Sequence, residues 1–202
     1  MFTGIVSHIG IVKKISHPDD WELLVDVIND NNVENDFNIK TIAIGASISC
    51  SGICLTLKKI LNNTLYFDVS DETLEKTNFS TWKVGSLINL EKSLKVGDEL
   101  GGHFIYGHVD TIAVIRYIEK INGSNKITFS INKDFIKYFA SKGSVSIDGV
   151  SLTVNDVDED FFTVNIVPYT WIHTSFKNYI IGTIVNVEID IIARYLESLN
   201  SN

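Results

Sequence analysis

The sequence predicts an all-β protein that consists of two tandem copies of a small closed β-barrel, followed by a C-terminal α-helix. Three observations support this prediction. The chain contains an internal repeat that covers much of its length. Each copy is rich in short apolar and β-branched runs separated by turn residues. The last residues change to a helical spacing of apolar side chains, which marks the tail as a separate element.

The internal repeat becomes visible when the chain is shifted against itself by 97 residues. This shift aligns residues 52–57 with residues 149–154 without a gap, and a slightly different offset aligns residues 4–6 with residues 107–109. Similarity at a fixed spacing over this length indicates a duplication. Further identities are Thr73, Thr77, Phe79, Gly85, Asn89 and Glu91 in the first copy and Thr170, Thr174, Phe176, Gly182, Asn186 and Glu188 in the second.

The duplication divides the chain into two predicted barrels, residues 1–97 and 98–188, and a tail of residues 189–202. Gly, Asn and Ser separate the candidate strands, and short strands at regular spacing favour one small barrel per copy. Two further segments predict helical turns, residues 71–76 and 133–139, but neither is long enough for an α/β fold. In the first copy the candidate strands are residues 47–50, 54–57, 65–69 and 87–90.

The tail has an apolar stripe at helical spacing, formed by Ile192, Tyr195, Leu196 and Leu199. Asp190 precedes this stripe, and its short carboxylate side chain is suited to cap a helix N-terminus. There is no third repeat for the stripe to pack against. We therefore predict that the tail is a self-association helix.

Composition excludes several classes of protein. The chain has 202 residues, of which 45% are hydrophobic and 21% charged, as is typical of globular domains. The net charge is −8 and the lysines are scattered, so we expect no nucleic acid partner. No run of 18 apolar residues and no signal-peptide pattern occurs, so we expect no membrane association. Only Cys50 and Cys54 are present, which fits a reducing compartment, and we predict a cytoplasmic protein.

The two copies meet in a segment that we call the seam, residues 101–110, which contains three glycines, two histidines and one aspartate. His103 and His108 are five residues apart, which places them on opposite faces of a strand and about 140° apart on a helix. We therefore predict no metal site. No Gly-rich phosphate loop leads into a helix, so we also predict no nucleotide fold and no cofactor.

The two cysteines allow two local structures. If the strand is unbroken, Cys50 and Cys54 share a face but lie about 13 Å apart, beyond disulfide reach. If Ser51 and Gly52 turn the chain, the two side chains diverge. Either cysteine can be a small buried apolar residue. Cys54 aligns with Ser151, however, so that both copies keep a nucleophile-type side chain at the same place in the motif Gly-x-(Cys/Ser)-Leu-Thr.

Two similar barrels imply two similar pockets, which suit either two molecules of one ligand or one ligand that spans a pseudo-two-fold axis. The motifs that carry a family resemblance are the first six residues, residues 52–56, the seam, residues 148–153 and residues 186–195. Together they closely resemble the riboflavin synthase family of the α-chain type, whose members carry lumazine-binding repeats. The resemblance extends over essentially the whole chain.

The resemblance implies two six-stranded antiparallel Greek-key barrels, a C-terminal helix and a homotrimer. It also implies a reaction in which one molecule of 6,7-dimethyl-8-ribityllumazine donates a four-carbon unit to a second. The products are riboflavin and 5-amino-6-(ribitylamino)uracil. In this family each site lies between the N-terminal barrel of one subunit and the C-terminal barrel of its neighbour. The resemblance also implies lumazine synthase as a further partner protein.

The family motifs also imply roles for individual residues. As catalytic residues they indicate His108, Cys54 and Ser47 in the N-terminal pocket, and Ser151 and Asp190 in the C-terminal pocket. The expected substrate-binding residues of the first pocket are Cys54, Leu55, Thr56, Asp68, Val69, Ser70, Asp71, Glu72, Thr73, Gly107, His108 and Val109. Those of the second pocket are Ser151, Leu152, Thr153, Asn165, Ile166, Val167, Pro168, Tyr169 and Thr170. The backbone of Gly4, Ile5 and Val6 is expected to face the pteridine ring of the substrate, and Lys142 is expected to reach the site across the subunit interface.

Some residues depart from the family pattern. Ser51 stands where Asn is common, and Tyr169 and Trp171 put a bulky pair beside the expected C-terminal pocket. The alternative function is a fluorescent antenna protein that binds the same ligand without turning it over. Such relatives tend to lose the first-motif cysteine and the second seam histidine, whereas this chain keeps Cys54 and His108. An oligosaccharide- or oligonucleotide-binding barrel is disfavoured by the acidic charge.

Overall fold

The computed structural model describes residues 1–17, 21–28 and 37–200. Its first closed barrel has strand order β1-β2-β5-β4-β3-β6, with every neighbouring pair antiparallel. The third strand therefore lies between the fourth and the sixth, which is a Greek-key order. The strands are β1 (His8–Ser16), β2 (Trp21–Val27), β3 (Ser47–Cys50), β4 (Ile53–Leu61), β5 (Thr64–Val69) and β6 (Leu87–Lys92).

The second barrel repeats this arrangement strand for strand. Its closed order is β10-β11-β8-β7-β12-β9, which is the order of the first barrel read from the fourth strand and in the opposite direction around the barrel. The prediction of two six-stranded antiparallel barrels is thereby confirmed. The strands are β7 (Thr111–Ile121), β8 (Ser124–Ile131), β9 (Ser144–Ile147), β10 (Val150–Val157), β11 (Phe161–Ile166) and β12 (Ile184–Ile189).

Each barrel has its own apolar core because its strands alternate between apolar and polar side chains. In β5, Leu65, Phe67 and Val69 point inward and are buried, while Asp68 between them is exposed. The second barrel has a separate core that includes Phe129 and other fully buried residues of its own strands. The two cores show that each copy closes around itself.

Four helices complete the described chain: α1 (Asp71–Lys76), α2 (Lys133–Ile136), α3 (Pro168–His173) and α4 (Ile191–Asn200). Helix α1 follows β5 and is capped by Ser70, whose hydroxyl accepts the N–H of Thr73. Helix α3 occupies the equivalent place in the second copy and begins with Pro168, whose fixed φ suits the first helical turn. None of the helices among the described residues is long and apolar enough to cross a membrane.

The tail forms the expected helix, α4. The carboxylate of Asp190 accepts the N–H of Ile192 at 2.9 Å, as predicted for an N-terminal cap. The described part of the chain leaves the apolar stripe uncovered, since Ile192, Tyr195 and Leu199 are 63%, 66% and 75% exposed. Residues 201 and 202, the end of the predicted tail, lie outside the described residues.

The two barrels pack turn against turn. Ser51 and Gly52 do turn the chain between β3 and β4, with φ of 45° and 83°, and so the two cysteines lie on separate strands. The equivalent turn of the second barrel faces it, and a Cβ on Gly52 would lie 2.8 Å from the Gly149 nitrogen. Ser51 therefore takes the left-handed conformation that the commoner Asn would adopt, and the turn is kept.

Two asparagines from the last strands hold this contact together about a pseudo-two-fold axis. Asn89 in β6 and Asn186 in β12 are both almost fully buried, and each side chain bonds to the opposite barrel. The Nδ2 of Asn89 donates to the Asp148 carbonyl and its Oδ1 accepts the Ser175 N–H, both at 2.8 Å. Equivalently, the Nδ2 of Asn186 donates to the Ser51 carbonyl at 2.8 Å and its Oδ1 accepts the Asn78 N–H at 2.7 Å. Paired amides that are almost fully buried fix the relative position of the barrels.

The interface is asymmetric at one titratable group. Asp148 occupies the place of Ser51 and is 1% exposed. Its carboxylate accepts the Asn186 N–H at 2.8 Å and the Tyr179 hydroxyl at 2.5 Å. Burial raises the pKa of Asp148 to about 7, although these hydrogen bonds act in the opposite direction.

Candidate functional site

The segment before β1 is held by a carboxylate of its own barrel. Glu91, at the end of β6, is 6% exposed and accepts the backbone N–H groups of Thr3 and Gly4 at 2.7 and 3.0 Å. The Thr3 hydroxyl donates to the same carboxylate at 2.7 Å. The carbonyl of Gly4 then accepts the N–H of Ser151 in β10 at 2.9 Å. The first segment is therefore anchored in one barrel and contacts the other.

The segment before β7 repeats this arrangement in the opposite direction. Glu188 in β12 is 4% exposed and accepts the N–H groups of Tyr106, Gly107 and His108 at 2.7, 2.8 and 3.0 Å. The carbonyl of Gly107 accepts the N–H of Cys54 in β4 at 2.9 Å. We call residues 3–5 and 106–108 the crossing segments, because each bonds to one barrel and lies against the other.

Both contacts require glycine. Gly4 and Gly107 have φ of 78° and 76°, a conformation that other residues adopt only at a cost. A Cβ on Gly107 would lie 2.5 Å from the Cβ of Cys54, and one on Gly4 would lie 2.5 Å from the Cβ of Ser151. The backbone of each crossing segment therefore lies directly against the nucleophile-type residue of a repeated motif.

Replacing Gly107 with alanine is expected to lower the free energy of unfolding by about 2–3 kcal/mol, because both the left-handed φ and the contact with Cys54 disfavour a side chain. Gly123→Ala is the matched control, since Gly123 has φ of 89° and open space around it. It should cost only about 1 kcal/mol. Urea unfolding of both variants measures the difference, and equal losses would show that the Cys54 contact costs nothing.

Two adjoining cavities open beside the Cys54 contact in the first barrel. The larger, of about 590 Å³, is lined by residues of β4, β5 and α1, and the smaller, of about 240 Å³, by residues of α1 and the crossing segment. The exposed side chain of His108 lines the smaller one. The larger is lined by Cys54, Leu55, Thr56, Lys58, Asp68, Val69, Ser70 and Thr73. A combined space of this size is typical of small-molecule sites.

The first pocket contains charges that the second copy lacks. Lys58 and Asp68 line the larger cavity and form a salt bridge of 2.8 Å. The 97-residue shift places Asn155 and Asn165 at the equivalent positions. Both pairs can bond to hydroxyl groups, but only the first presents a fixed anion and cation. The residues at the two equivalent places are thus related without being identical.

The equivalent place in the second barrel contains a hydroxyl and imidazole pair. The Oγ of Ser151 lies 2.7 Å from the Nδ1 of His103, and the other ring nitrogen is buried without a hydrogen-bond partner among the described residues. Burial lowers the pKa of His103, and the nearby Asp190 carboxylate partly opposes this effect. The imidazole is therefore neutral near pH 7, and a neutral imidazole can accept a proton from the serine.

The two cysteines have different environments. Cys50 is fully buried in β3, and burial raises the pKa of its thiol well above the ordinary range. Cys54 is partly exposed and lines both cavities of the first pocket. Because a thiol must be accessible to react, Cys54 is the cysteine able to take part in chemistry.

Comparison with known proteins agrees with this duplicated site. The model of the family described as the lumazine binding domain matches twice, at residues 3–93 and 106–190. These two matches span most of the chain. The chain belongs to the lumazine binding domain family. The matched ranges begin at the two crossing segments and include both repeated motifs.

The relatives within this family include curated enzymes. The riboflavin synthase of Photobacterium phosphoreum is 38% identical over 200 residues, covering 98% of this chain and 88% of that protein. The riboflavin synthase of Brucella abortus is 38% identical over 206 residues, covering 98% of both chains. Among solved structures, LumP complexed with riboflavin has a TM-score of 0.81 at 28% identity, covering 94% of this chain and 99% of that chain. LumP complexed with 6,7-dimethyl-8-(1'-D-ribityl) lumazine has a TM-score of 0.79 at the same identity and coverage.

Most of the binding residues expected for the N-terminal lumazine-binding repeat lie around the two adjoining cavities beside Cys54. Those from β4, β5 and α1 line the two cavities together with Gly107, His108 and Val109. Ser47 begins β3 and pairs with Thr56 across the strand. Lys142 is not among the residues that line these cavities. Lys142 is equivalent to Gly45 of the first copy and has φ of 69°. The lysine therefore adopts a left-handed conformation that favours glycine.

The substitutions near the second lumazine-binding repeat have a simple structural explanation. Trp171 is partly buried and packs against the core of the second barrel. Tyr169 is exposed and stacks on His173, with ring centroids 4.0 Å apart. Both side chains are therefore accounted for by packing within the second copy.

Sequence reasoning missed His103 and the two glutamates. The five-residue spacing of the seam histidines was tested only as a metal motif, and this test does not reveal a partner 48 residues away. Glu91 and Glu188 were visible as an identity of the repeat, but a carboxylate at the end of a strand ordinarily faces solvent. The identity of a charged residue at equivalent strand ends was the available signal.

Proposed function

We propose that this chain is a riboflavin synthase, which converts two molecules of 6,7-dimethyl-8-ribityllumazine into riboflavin and 5-amino-6-(ribitylamino)uracil. Relatives of that name, 38% identical over almost the whole chain, support the proposal. The observation that carries it is the pair of equivalent sites, in which a crossing segment lies against Cys54 in one barrel and against Ser151 in the other. A reaction whose donor and acceptor are the same compound needs two such related sites.

The reaction begins at the acidic C7 methyl group of the substrate, whose deprotonation gives a carbanion delocalised through the ring. Ser151 and His103 are suited to this step. As the methyl proton moves to the Ser151 oxygen, the serine proton moves to Nδ1 of His103. Burial lowers the pKa of His103, and the Asp190 carboxylate partly offsets this effect by stabilising the resulting imidazolium. We therefore assign proton transfer in the second pocket to this pair.

The first pocket has a different set of groups. Cys54 supplies a thiol beside the crossing segment, and His108 lines the adjoining cavity. We assign to these residues the second substrate molecule, with Asp68 and Ser70 placed to bond to ribityl hydroxyls. If the two pockets face each other across a subunit boundary, the bound rings are held close together, and proximity supplies much of the rate.

Such a site requires self-association, and we propose a homotrimer in which the N-terminal barrel of one subunit faces the C-terminal barrel of the next. The uncovered apolar stripe of α4 supports association, as does Lys142, which projects from a left-handed turn. The division into barrels at residues 1–97 and 98–188 and a tail at 189–202 belongs to this proposal. So do a cytoplasmic location, which two free cysteines favour, and a contact with lumazine synthase.

Removal of residues 190–202 is expected to reduce the assembly to monomers, because it deletes the exposed stripe of α4. The double variant Tyr195→Ser/Leu199→Ser should act in the same direction while keeping Asp190 and the first helical turn. Sedimentation velocity measures the assembly size. An unchanged size in both proteins would exclude α4 as the association element.

The antenna alternative is tested by one assay. The purified chain is incubated with 6,7-dimethyl-8-ribityllumazine, and riboflavin and the pyrimidine product are quantified by chromatography. We expect one riboflavin for every two lumazines consumed. Tight binding of the lumazine without flavin formation would overturn the proposal in favour of a non-catalytic binding protein.

A further inference from the structure

The crossing segments are held by buried carboxylates that the proposed chemistry does not use. Glu91 and Glu188 are equivalent in the repeat, and each is more than nine-tenths buried at the end of the last strand of its barrel. Burial raises the pKa of both carboxyl groups, so each is kept in place against a desolvation cost. A buried carboxylate is retained without loss of stability only when hydrogen bonds offset this cost.

The carboxylate of each glutamate accepts its hydrogen bonds from a crossing segment. Glu91 accepts three bonds, all from Thr3 and Gly4. Glu188 accepts three bonds from consecutive backbone N–H groups of residues 106–108. Three donors that bond to one carboxylate hold the backbone of the segment in one position, because each bond restrains both a distance and a direction. The glutamates therefore determine where the carbonyls of Gly4 and Gly107 point.

Those carbonyls do not point into the barrel that supplies the glutamate. The segment held by Glu188 of the second barrel bonds to Cys54 of the first, and carries His108 into the first pocket. The segment held by Glu91 of the first barrel bonds to Ser151 of the second. The Cys54 pocket and the Ser151 backbone are thus each in contact with a segment that is anchored in the other barrel.

We propose that Glu91 and Glu188 are positioning residues that act crosswise: Glu188 of the second barrel sets the geometry of the Cys54 pocket, and Glu91 of the first barrel sets that of the Ser151 pocket. The choice of riboflavin as the ligand that tests this inference rests on the proposed function. The inference itself concerns which barrel controls which pocket. It means that neither pocket has its full geometry within its own copy of the repeat.

The chain provides a reporter for the first pocket. Cys54 is accessible and Cys50 is buried, so iodoacetamide should label Cys54. Bound riboflavin should protect this thiol. A matched reporter for the second pocket is the double variant Cys54→Ser/Ser151→Cys, in which the accessible thiol is moved to the equivalent position of β10. The riboflavin concentration that halves the labelling rate is measured by mass spectrometry in both backgrounds.

We expect Glu188→Gln to raise this concentration about tenfold at Cys54, since it removes a charge-assisted bond and sets an amide N–H against backbone N–H groups. The thiol at position 151 should be unaffected. Glu91→Gln should give the reverse pattern. Because both thiols are compared with the same glutamate variant, general loss of stability would change both and is distinguishable. Thr3→Val, which removes one bond to Glu91, is a milder variant that should affect position 151 only.

The proposal is overturned if each glutamate acts on the pocket of its own barrel, or on both pockets equally. It is separable from the proposed function, because wild-type turnover of the lumazine is measured independently of thiol protection. If riboflavin protects neither Cys54 in the wild type nor the thiol at position 151 in the double variant, the proposed ligand is wrong. The crosswise pattern is then read from the labelling rates without ligand, where loosening of a crossing segment should raise the rate at the opposite barrel only.

Discussion

His103→Gln is expected to lower kcat by on the order of 10²–10⁴-fold while leaving binding of the lumazine largely intact. Glutamine has a similar size and can still bond to Ser151, but it cannot accept a proton. In the wild type, burial lowers the pKa of His103, so the neutral base persists at pH values below the ordinary range of histidine. Activity should therefore fall only when acidification protonates this imidazole, and the variant should lose that acidic limb.

His108→Gln is the matched control for this measurement. His108 is exposed on the crossing segment, and the same substitution there keeps its hydrogen-bonding capacity. We expect a smaller decrease in kcat and an acidic limb of the pH profile at its wild-type position. If the limb persists in His103→Gln and disappears in His108→Gln, His108 is the base and our assignment of proton transfer to the Ser151 pair is wrong.

Asp148→Asn is expected to remove a pH dependence of stability worth about 4 kcal/mol. The pKa of Asp148 is raised from 3.8 to about 7 in the folded protein. Between these two values the folded state binds more protons than the unfolded state, so this group makes stability fall as the pH rises through that window. At about 1.4 kcal/mol per pKa unit, the free energy of unfolding decreases by about 4 kcal/mol from pH 4 to pH 8 on account of this group.

An asparagine stays neutral and can keep the bonds to Asn186 and Tyr179, since its oxygen accepts and its amide group donates. The unfolding free energy of the variant, relative to the wild type, should therefore rise steadily from pH 4 to pH 8. Urea unfolding at several pH values measures this difference, which also cancels the contributions of other carboxylates. A difference that does not change with pH would mean that Asp148 is not the titrating group of the interface.

The fold was predictable from the sequence because it depends on local patterns. Alternation such as that of Leu65, Phe67 and Val69 specifies which face of a strand is buried, and a repeat requires the same fold twice. The alignment of Cys54 with Ser151 likewise predicted equivalent places for these two residues, since equivalent positions of a duplicated fold are equivalent in space. The tail helix followed from the spacing of its apolar residues.

The site was predictable only in part, because its decisive contacts join residues far apart in the chain. Nothing near His103 in the sequence indicates Ser151 as its partner. The alignment of Gly4 with Gly107 indicated that each segment begins a barrel, but not that its carbonyl bonds to the other one. A strand-end carboxylate such as Glu188 reads as exposed unless the segment that covers it is known.

The sequence by itself determined that this protein is a duplicated all-β chain with two related motifs and a terminal helix, because hydrophobic alternation and internal similarity can be read directly from the order of residues. The tertiary structure alone decided that the crossing segments connect each pocket to the opposite barrel, and that Asp148 is buried between the barrels. Both results depend on how the two copies pack together. Packing between copies is set by surfaces that form only after each barrel has closed.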